Sequence, residues 1–263
     1  MFKRSKKSPN PSAHTKKAPL KLKIRHLKSR FFSAYYSNPA KDLKIIAVTG
    51  DATARNATAQ LILSALKTKD THAGIVSEPK SISGLYKKLY KIWRTGADHA
   101  VISVSSSALA NHICYGLPIH IAVLTDTHTT NGLDAQSILF NTSPSFSLLN
   151  RDDPNFALFA RYPARSATLS FGIANGADLH VNSYKLYKKG TEANFSFNHD
   201  TFDAATFFTG ENAVHYLAAA VLAALVLDIS TDQIVDGIAD FEPSQKDLPK
   251  QTATTTNSAA IFS

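Results

Sequence analysis

A single cysteine, Cys114, stands in a chain of 263 residues. One thiol excludes an internal disulfide framework and any zinc site built from several cysteines, and it favours a reducing, cytoplasmic setting. Acidic residues are just as scarce at the start, where residues 1–44 hold 13 Lys/Arg and Asp42 as the one acid. Residues 45–263 hold 16 Lys/Arg against 19 Asp/Glu, so the net charge of +9 splits into +12 for the opening segment and −3 for the body. The basic character belongs to a tail, and nothing basic is implied about the folded part. Long apolar runs are missing too. No signal peptide is expected, because the basic start is followed by no apolar segment of adequate length. The run from Ala213 to Ile229 carries His215 and Tyr216 and is shorter than the roughly 18–20 residues of a membrane span, so it reads as a buried helix.

With 44% hydrophobic residues, the chain can bury a sizeable core. Residues 1–40 are expected to be a basic, largely disordered tail. Its segment HLKSRFFSAYYSNPA is expected to form a short amphipathic helix carrying Phe31, Phe32, Tyr35 and Tyr36 and closed by Pro39. Residues 41–247 are expected to be one folded domain, and residues 248–263 a second tail. From Lys44 onward, short apolar runs (KIIAVTG, AGIVSE, HAVISVS, IHIAVLT, FSLLN) alternate with helix-like stretches (TAQLILSAL, ISGLYKKLYKIWRTG, DPNFALFARYP). That alternation predicts an α/β fold, a mostly parallel sheet with helices on both faces. After about residue 165, ATLSFGI, ADLHVNSYKLYKKG and TEANFSFNHD alternate apolar with polar residues around a Lys189-Gly190 turn, which predicts an antiparallel hairpin edge. Two helices should follow, Asn212 to Leu227 and Asp232 to Phe241, the second capped by Ser230.

The stretch that carries chemistry is KIIAVTGDATARNATAQLILSAL, Lys44 to Leu66, an apolar strand that turns at a glycine into a helix. A phosphate loop of this shape works through backbone N–H groups at glycines, a lysine for charge and a Ser/Thr hydroxyl for magnesium. Here only Gly50 remains, the loop has no lysine, and Asp51 adds a negative charge. Read alone, the segment is a plain strand-to-helix turn.

Several segments in order nevertheless resemble the Mur ligase central domain. AVTGDATARNATAQLILSAL resembles its V-T-G-T-N-G-K-T-T-T loop, ISVSSSALANH its E-V-S-S-H-A-L element, and IAVLTDTHTTNGLD its T-N-x-x-x-D/E-H-L-D. LLNRDDPNFALF resembles N-x-D-D-P, the hairpin region follows Y-G-x-x-x-A-D, and FFTGENAVHYLAAAV resembles the G-x-x-N-x-x-N helix. The likeness covers roughly residues 44–247 and is nearest to the UDP-N-acetylmuramoyl-tripeptide type. It implies a P-loop-like domain of an ATP-dependent amide ligase, in which ATP phosphorylates a carboxylate that an amine then attacks. It also implies that the family's N-terminal and C-terminal domains lie outside this chain.

Carried over residue by residue, the resemblance places the loop lysine on Ala54, the motif glutamate on Ser103 and its histidine on Ser107. The acid and histidine of the next element fall near Thr130 and Asn131, Asp134 matches the final aspartate, and the carbamoylated lysine falls on Gln136. Asn212 keeps the first adenine-side asparagine, while His215 replaces the second. Thr49, Gly50, Arg55, Asn56 and Asn212 are the candidates for whatever nucleotide contact survives. Scaffold positions match and charged catalytic positions do not, so the resemblance implies a degenerate domain with ATP and magnesium binding weakened or lost.

Other residues read blandly. His112, His120, His128 and His180 are scattered rather than at ligand spacing. Ser105-Ser106-Ser107 lacks a G-x-S-x-G elbow and reads as a helix cap, and Asp152-Asp153-Pro154 reads as a helix start. Cys114 reads as a small buried residue. For residues 1–36 an anionic membrane surface is the favoured partner, at the inner face of the membrane. A protein partner and, less favoured, nucleic acid are alternatives. Three functions are therefore open: a silent scaffold or regulatory domain, a working ligase completed by partner-supplied domains, and a binding module that acts through the tail.

Overall fold

The computed structural model of the chain describes residues 20–67, 71–127, 132–162 and 166–241. The first 19 residues, His128, Thr130, Asn131 and the C-terminal tail from residue 242 lie outside the described residues. Among those described, nine strands form one sheet in the order β2-β3-β1-β4-β5-β6-β7-β8-β9. The parallel part consists of β1 (Lys44–Thr49), β2 (Ala73–Ser77), β3 (His99–Ser103), β4 (Ile121–Leu124), β5 (Phe146–Asn150) and β6 (Ala167–Gly172). Then β7 (Leu179–Tyr187) joins β6 in parallel, and β8 (Gly190–Phe197) and β9 (Asp200–Thr206) extend it antiparallel.

The central strands are apolar throughout because both faces are covered. Successive side chains of a strand point to opposite faces, and β1 shows the consequence. Ile46 and Val48 enter one core, with Val101, Ile121, Val123 and Leu148 from neighbouring strands. Ile45 and Ala47 enter the other, with Ala100, Ile102, Ala122 and Leu124. The first core is closed by α2 (Ala52–Ala65), α7 (Asn212–Leu225) and α8 (Thr231–Ala239). In α7, Ala218, Ala219, Ala220, Ala223 and Ala224 are fully buried, and their small side chains let α2 approach closely. This is the run that resembled a membrane span. Among the described residues no helix is long and apolar enough to cross a membrane. Ser230 caps α8 as its sequence suggests, accepting from Gln233 N at 3.4 Å.

The second core is closed by α3 (Ile82–Trp93), α4 (Ser106–Ala110), α5 (Leu133–Phe140) and α6 (Phe156–Phe159), and α1 (Leu20–Tyr35) packs on α3. Cys114 is buried there, and burial pushes its thiol up to about 12, so it is an inert packing residue.

Three expectations need correction. The helix anticipated from His26 starts at Leu20, inside the segment read as disordered, because its inner face packs on α3. The segment ATLSFGI is not part of an antiparallel hairpin, since β6 pairs in parallel with both β5 and β7 and the antiparallel pairing begins only at β7–β8. Asp152 and Asp153 do not start a helix, because α6 begins at Phe156 and both carboxylates are bonded elsewhere.

Candidate functional site

An open parallel sheet leaves a crevice beyond the carboxyl ends of its strands, at the point where successive connections leave in opposite directions. Here that point is β1, flanked by β3 and β4, with α2 on one face of the sheet and α3 on the other. The strand ends deliver Thr49–Asp51 from β1, Glu78 from β2, Ser103 from β3, Thr125–Thr127 from β4 and Asn150–Asp153 from β5.

Gly50 makes the turn out of β1. Its φ of 149° is one that side-chain-bearing residues rarely adopt, and a Cβ there would collide with Thr125 Oγ1. Asp51 then caps α2, its Oδ2 accepting from Thr53 N at 3.0 Å. In the other direction, Asp51 N donates to Asp126 Oδ1 at 2.7 Å. Backbone N–H groups at the head of a helix are the donors a phosphate would use. Here two of them already serve carboxylates of the same chain.

Arg55 completes the arrangement. Its side chain is 9% exposed, and its guanidinium forms an ion pair with Glu78 and donates to the Gly50 carbonyl at 3.4 Å. Burial lowers the Arg55 pKa, while the carboxylates of Asp51 and Asp126 pull it back up. One cation and three carboxylates thus sit around the loop. Ala54, at the lysine position, is 1% exposed. Asn56 Oδ1 accepts from Ser103 Oγ at 2.5 Å, which ties α2 to the end of β3. Gln136 is buried on α5 and donates to the Asp126 carbonyl at 3.3 Å. Thr49 Oγ1, Arg55 Nε, Thr58 Oγ1 and Gln136 Oε1 are buried without a hydrogen-bond partner.

A second group lies along the same edge. Asp152 accepts from Ile173 N and Ala174 N, both at 2.7 Å, and faces His215 Nε2 at 2.9 Å. Burial works against its charge, but the Ile173, His215 and Ala174 contacts outweigh it and hold the Asp152 pKa below the ordinary carboxylate value. Asp153 accepts from Thr127 N at 2.6 Å and Thr127 Oγ1 at 2.5 Å. Asn150 donates to the Thr125 carbonyl at 2.8 Å. On α7, burial first and then the carboxylates of Asp126 and Asp51 push the Tyr216 phenol up to about 12, so its hydroxyl stays protonated.

The geometry therefore gathers Thr49, Gly50, Arg55, Asn56, Ser103 and, through Asp126, Gln136. It leaves others apart. Ser107 is exposed and hydrogen-bonds Ser105 Oγ at 3.0 Å, with Ser105 capping α4 by accepting from Ala108 N. Asn212 and Asp134 are exposed in the first turns of α7 and α5. Among the described residues no group of three or more His, Cys, Asp or Glu is placed to hold a metal ion. Glu78, Asp126 and Tyr216 were missed from sequence. For Glu78 and Asp126 the available signal was position, since Glu78 directly follows the carboxyl end of β2 and Asp126 comes two residues after that of β4.

A parallel sheet with a strand–loop–helix at its switch point and an antiparallel extension defines an α/β domain of the P-loop type. The chain belongs to the Mur ligase family, since the pattern of the Mur ligase middle domain matches residues 48–224. Among curated relatives, UDP-N-acetylmuramoyl-L-alanyl-D-glutamate–2,6-diaminopimelate ligase of Bacillus licheniformis is 27% identical over 252 residues, covering 82% of this chain and 51% of that protein. The enzyme of that name from Wolinella succinogenes is 29% identical over 160 residues, covering 56% of this chain and 35% of its own length. Among solved structures, a ligase of the same name superposes with a TM-score of 0.73 at 20% identity, covering 83% of this chain and 51% of that one. UDP-N-acetylmuramoylalanyl-D-glutamyl-2,6-diaminopimelate–D-alanyl-D-alanyl ligase from Acinetobacter baumannii gives a TM-score of 0.70 at 20% identity, covering 83% and 50%. The chain spans about half the length of the Bacillus relatives it matches.

Proposed function

We propose that this chain is a catalytically silent Mur ligase-like central domain with a scaffold or regulatory role in peptidoglycan precursor synthesis. The observation that carries this reading is the state of the loop, where Asp51 and Asp126 accept the N–H groups a phosphate would need. A phosphate oxygen about 4 Å from either carboxylate would meet a repulsion of about 4 kcal/mol at an effective dielectric of 20. That is more than a typical charge-assisted hydrogen bond returns. Arg55 does not offset it, because Glu78 already engages its guanidinium. The residues present do not fit a magnesium nucleotide. Ala54 and Gln136 have no charge to offer, and the Ser103 hydroxyl is directed to Asn56, where magnesium would prefer a carboxylate. No step of phosphoryl transfer is assigned to this chain.

Isothermal titration of the chain with ATP and magnesium tests the reading. The expected result is no magnesium-dependent binding in the micromolar range. A variant carrying Asp51→Thr, Ala54→Lys and Arg55→Thr should gain binding if the carboxylates and the missing lysine are the cause. Micromolar, magnesium-dependent binding by the native chain overturns the proposal in favour of a ligase completed by partner-supplied domains.

A further inference from the structure

We propose that the outer face of α1 docks on an anionic lipid bilayer. The inner face of this helix is fixed by the body. Ser29 Oγ lies 2.9 Å from Tyr86 OH, the His26 ring meets Tyr115 edge-on, and Phe32 and Tyr36 pack on the second core. The opposite face carries Leu20, Ile24, Leu27, Phe31 and Tyr35, which are 73%, 46%, 69%, 61% and 69% exposed. Their spacing of three or four residues makes one continuous stripe, about 22 Å long at 1.5 Å per residue. An exposed apolar ridge of that length is what a soluble surface avoids and an interaction surface keeps.

Charge selects the occupant. At 100° per residue, Arg25 and Lys28 fall on one side of the stripe and Lys23 and Arg30 on the other, and α1 contains no acidic residue. Residues 1–19 add six more Lys/Arg and no acid to the sequence before it. Long basic side chains on both flanks can reach headgroup phosphates while the stripe enters the acyl boundary. Phe31 and Tyr35 stack at a centroid distance of 6.2 Å toward one end, where amphipathic rings suit the interface. A second copy of the same face would bring like charges together, and nucleic acid would leave the apolar ridge in water. A bilayer satisfies the stripe and both flanks at once. The inference does not depend on whether the loop after β1 binds a nucleotide.

The full chain is sedimented with phosphatidylcholine vesicles, with and without phosphatidylglycerol, at low and high salt. Binding is expected only with the anionic lipid and should weaken as salt rises. Leu27→Ser with Phe31→Ser should lower partitioning at least about tenfold with no change in melting temperature, since both side chains point away from the body. Lys23→Gln, Lys28→Gln and Arg30→Gln together should weaken the preference for anionic lipid. As an independent readout, the emission of a Phe31→Trp variant should shift to the blue on adding anionic vesicles. Equal binding to neutral vesicles, partitioning untouched by the stripe substitutions, or a dimer in solution that those substitutions dissociate would each overturn the proposal.

Discussion

The two ends of the central strands handle charge in opposite ways. At the carboxyl end, charges are kept and paired within the chain. Asp51 and Asp126 take backbone donors, Arg55 takes Glu78, and Asp152 takes Ile173, Ala174 and His215. At the amino end, charge is suppressed. His99 is 4% exposed with neither ring nitrogen hydrogen-bonded, and burial first, then Lys44, lowers its pKa. His120 is lowered by burial and then by Lys44 in the same way. One end spends its polar groups on holding a loop in shape, while the other keeps two bases neutral beside a lysine. The carboxyl end should therefore fail through geometry and the amino end through acid.

The largest break is expected at Gly50. Gly50→Ala combines an unfavourable φ with a clash against Thr125 Oγ1, and it should cost about 3 kcal/mol or more in chemical denaturation. Adding Thr125→Ala should recover the steric part and leave the backbone part. If Gly50→Ala is silent, the chain does not turn out of β1 through a positive φ. Next comes Asp152→Ala, which leaves Ile173 N, Ala174 N and the His215 ring without their shared acceptor. A loss of about 2 kcal/mol is expected, and a crystal structure or amide exchange should show the β6–β7 turn loosened. An unchanged exchange rate at Ile173 and Ala174 would mean that Asp152 does not hold those two amides.

The smallest effect lies at the amino end and depends on pH. The folded-state values of His99 and His120 lie below the ordinary 6.5, so the unfolded chain takes up protons first. Their contribution is complete above about pH 6.5 and is lost as pH falls through the folded values. Between about pH 7 and 5, stability should drop further in the native chain than in His99→Phe. Parallel curves for the two proteins would show that His99 does not titrate differently on folding.

Much of the fold was legible because it follows from one-dimensional patterns. Strands buried on both faces read as apolar runs, and β1 to β5 lie within the five runs identified. The error at β6 has a physical cause. Its first three residues are exposed or half-buried and its last three are buried, and partial cover imitates the alternation of an antiparallel edge. Strand β9 was missed because its burial is confined to Ala204 and Thr206, too little to make a pattern. The length of α1 was missed for a related reason, since its lysines suggested a solvated chain while Ser29, Phe32 and Tyr36 anchor it. Gly50, Arg55, Asn56 and Ser103 could be picked out one by one. Their partners could not, because the Asp51–Asp126 and Arg55–Glu78 contacts join residues brought together only by the parallel order β2-β3-β1-β4.

The pairing around Arg55 also constrains how this chain can change. Replacing Arg55 alone leaves Glu78 without its ion-pair partner at the mouth of the loop, and replacing Asp51 alone removes the cap of α2 while Asp126 still holds the backbone donor. Each single change is disfavoured until its partner has changed too, so substitutions around this loop should be tolerated in pairs more readily than singly.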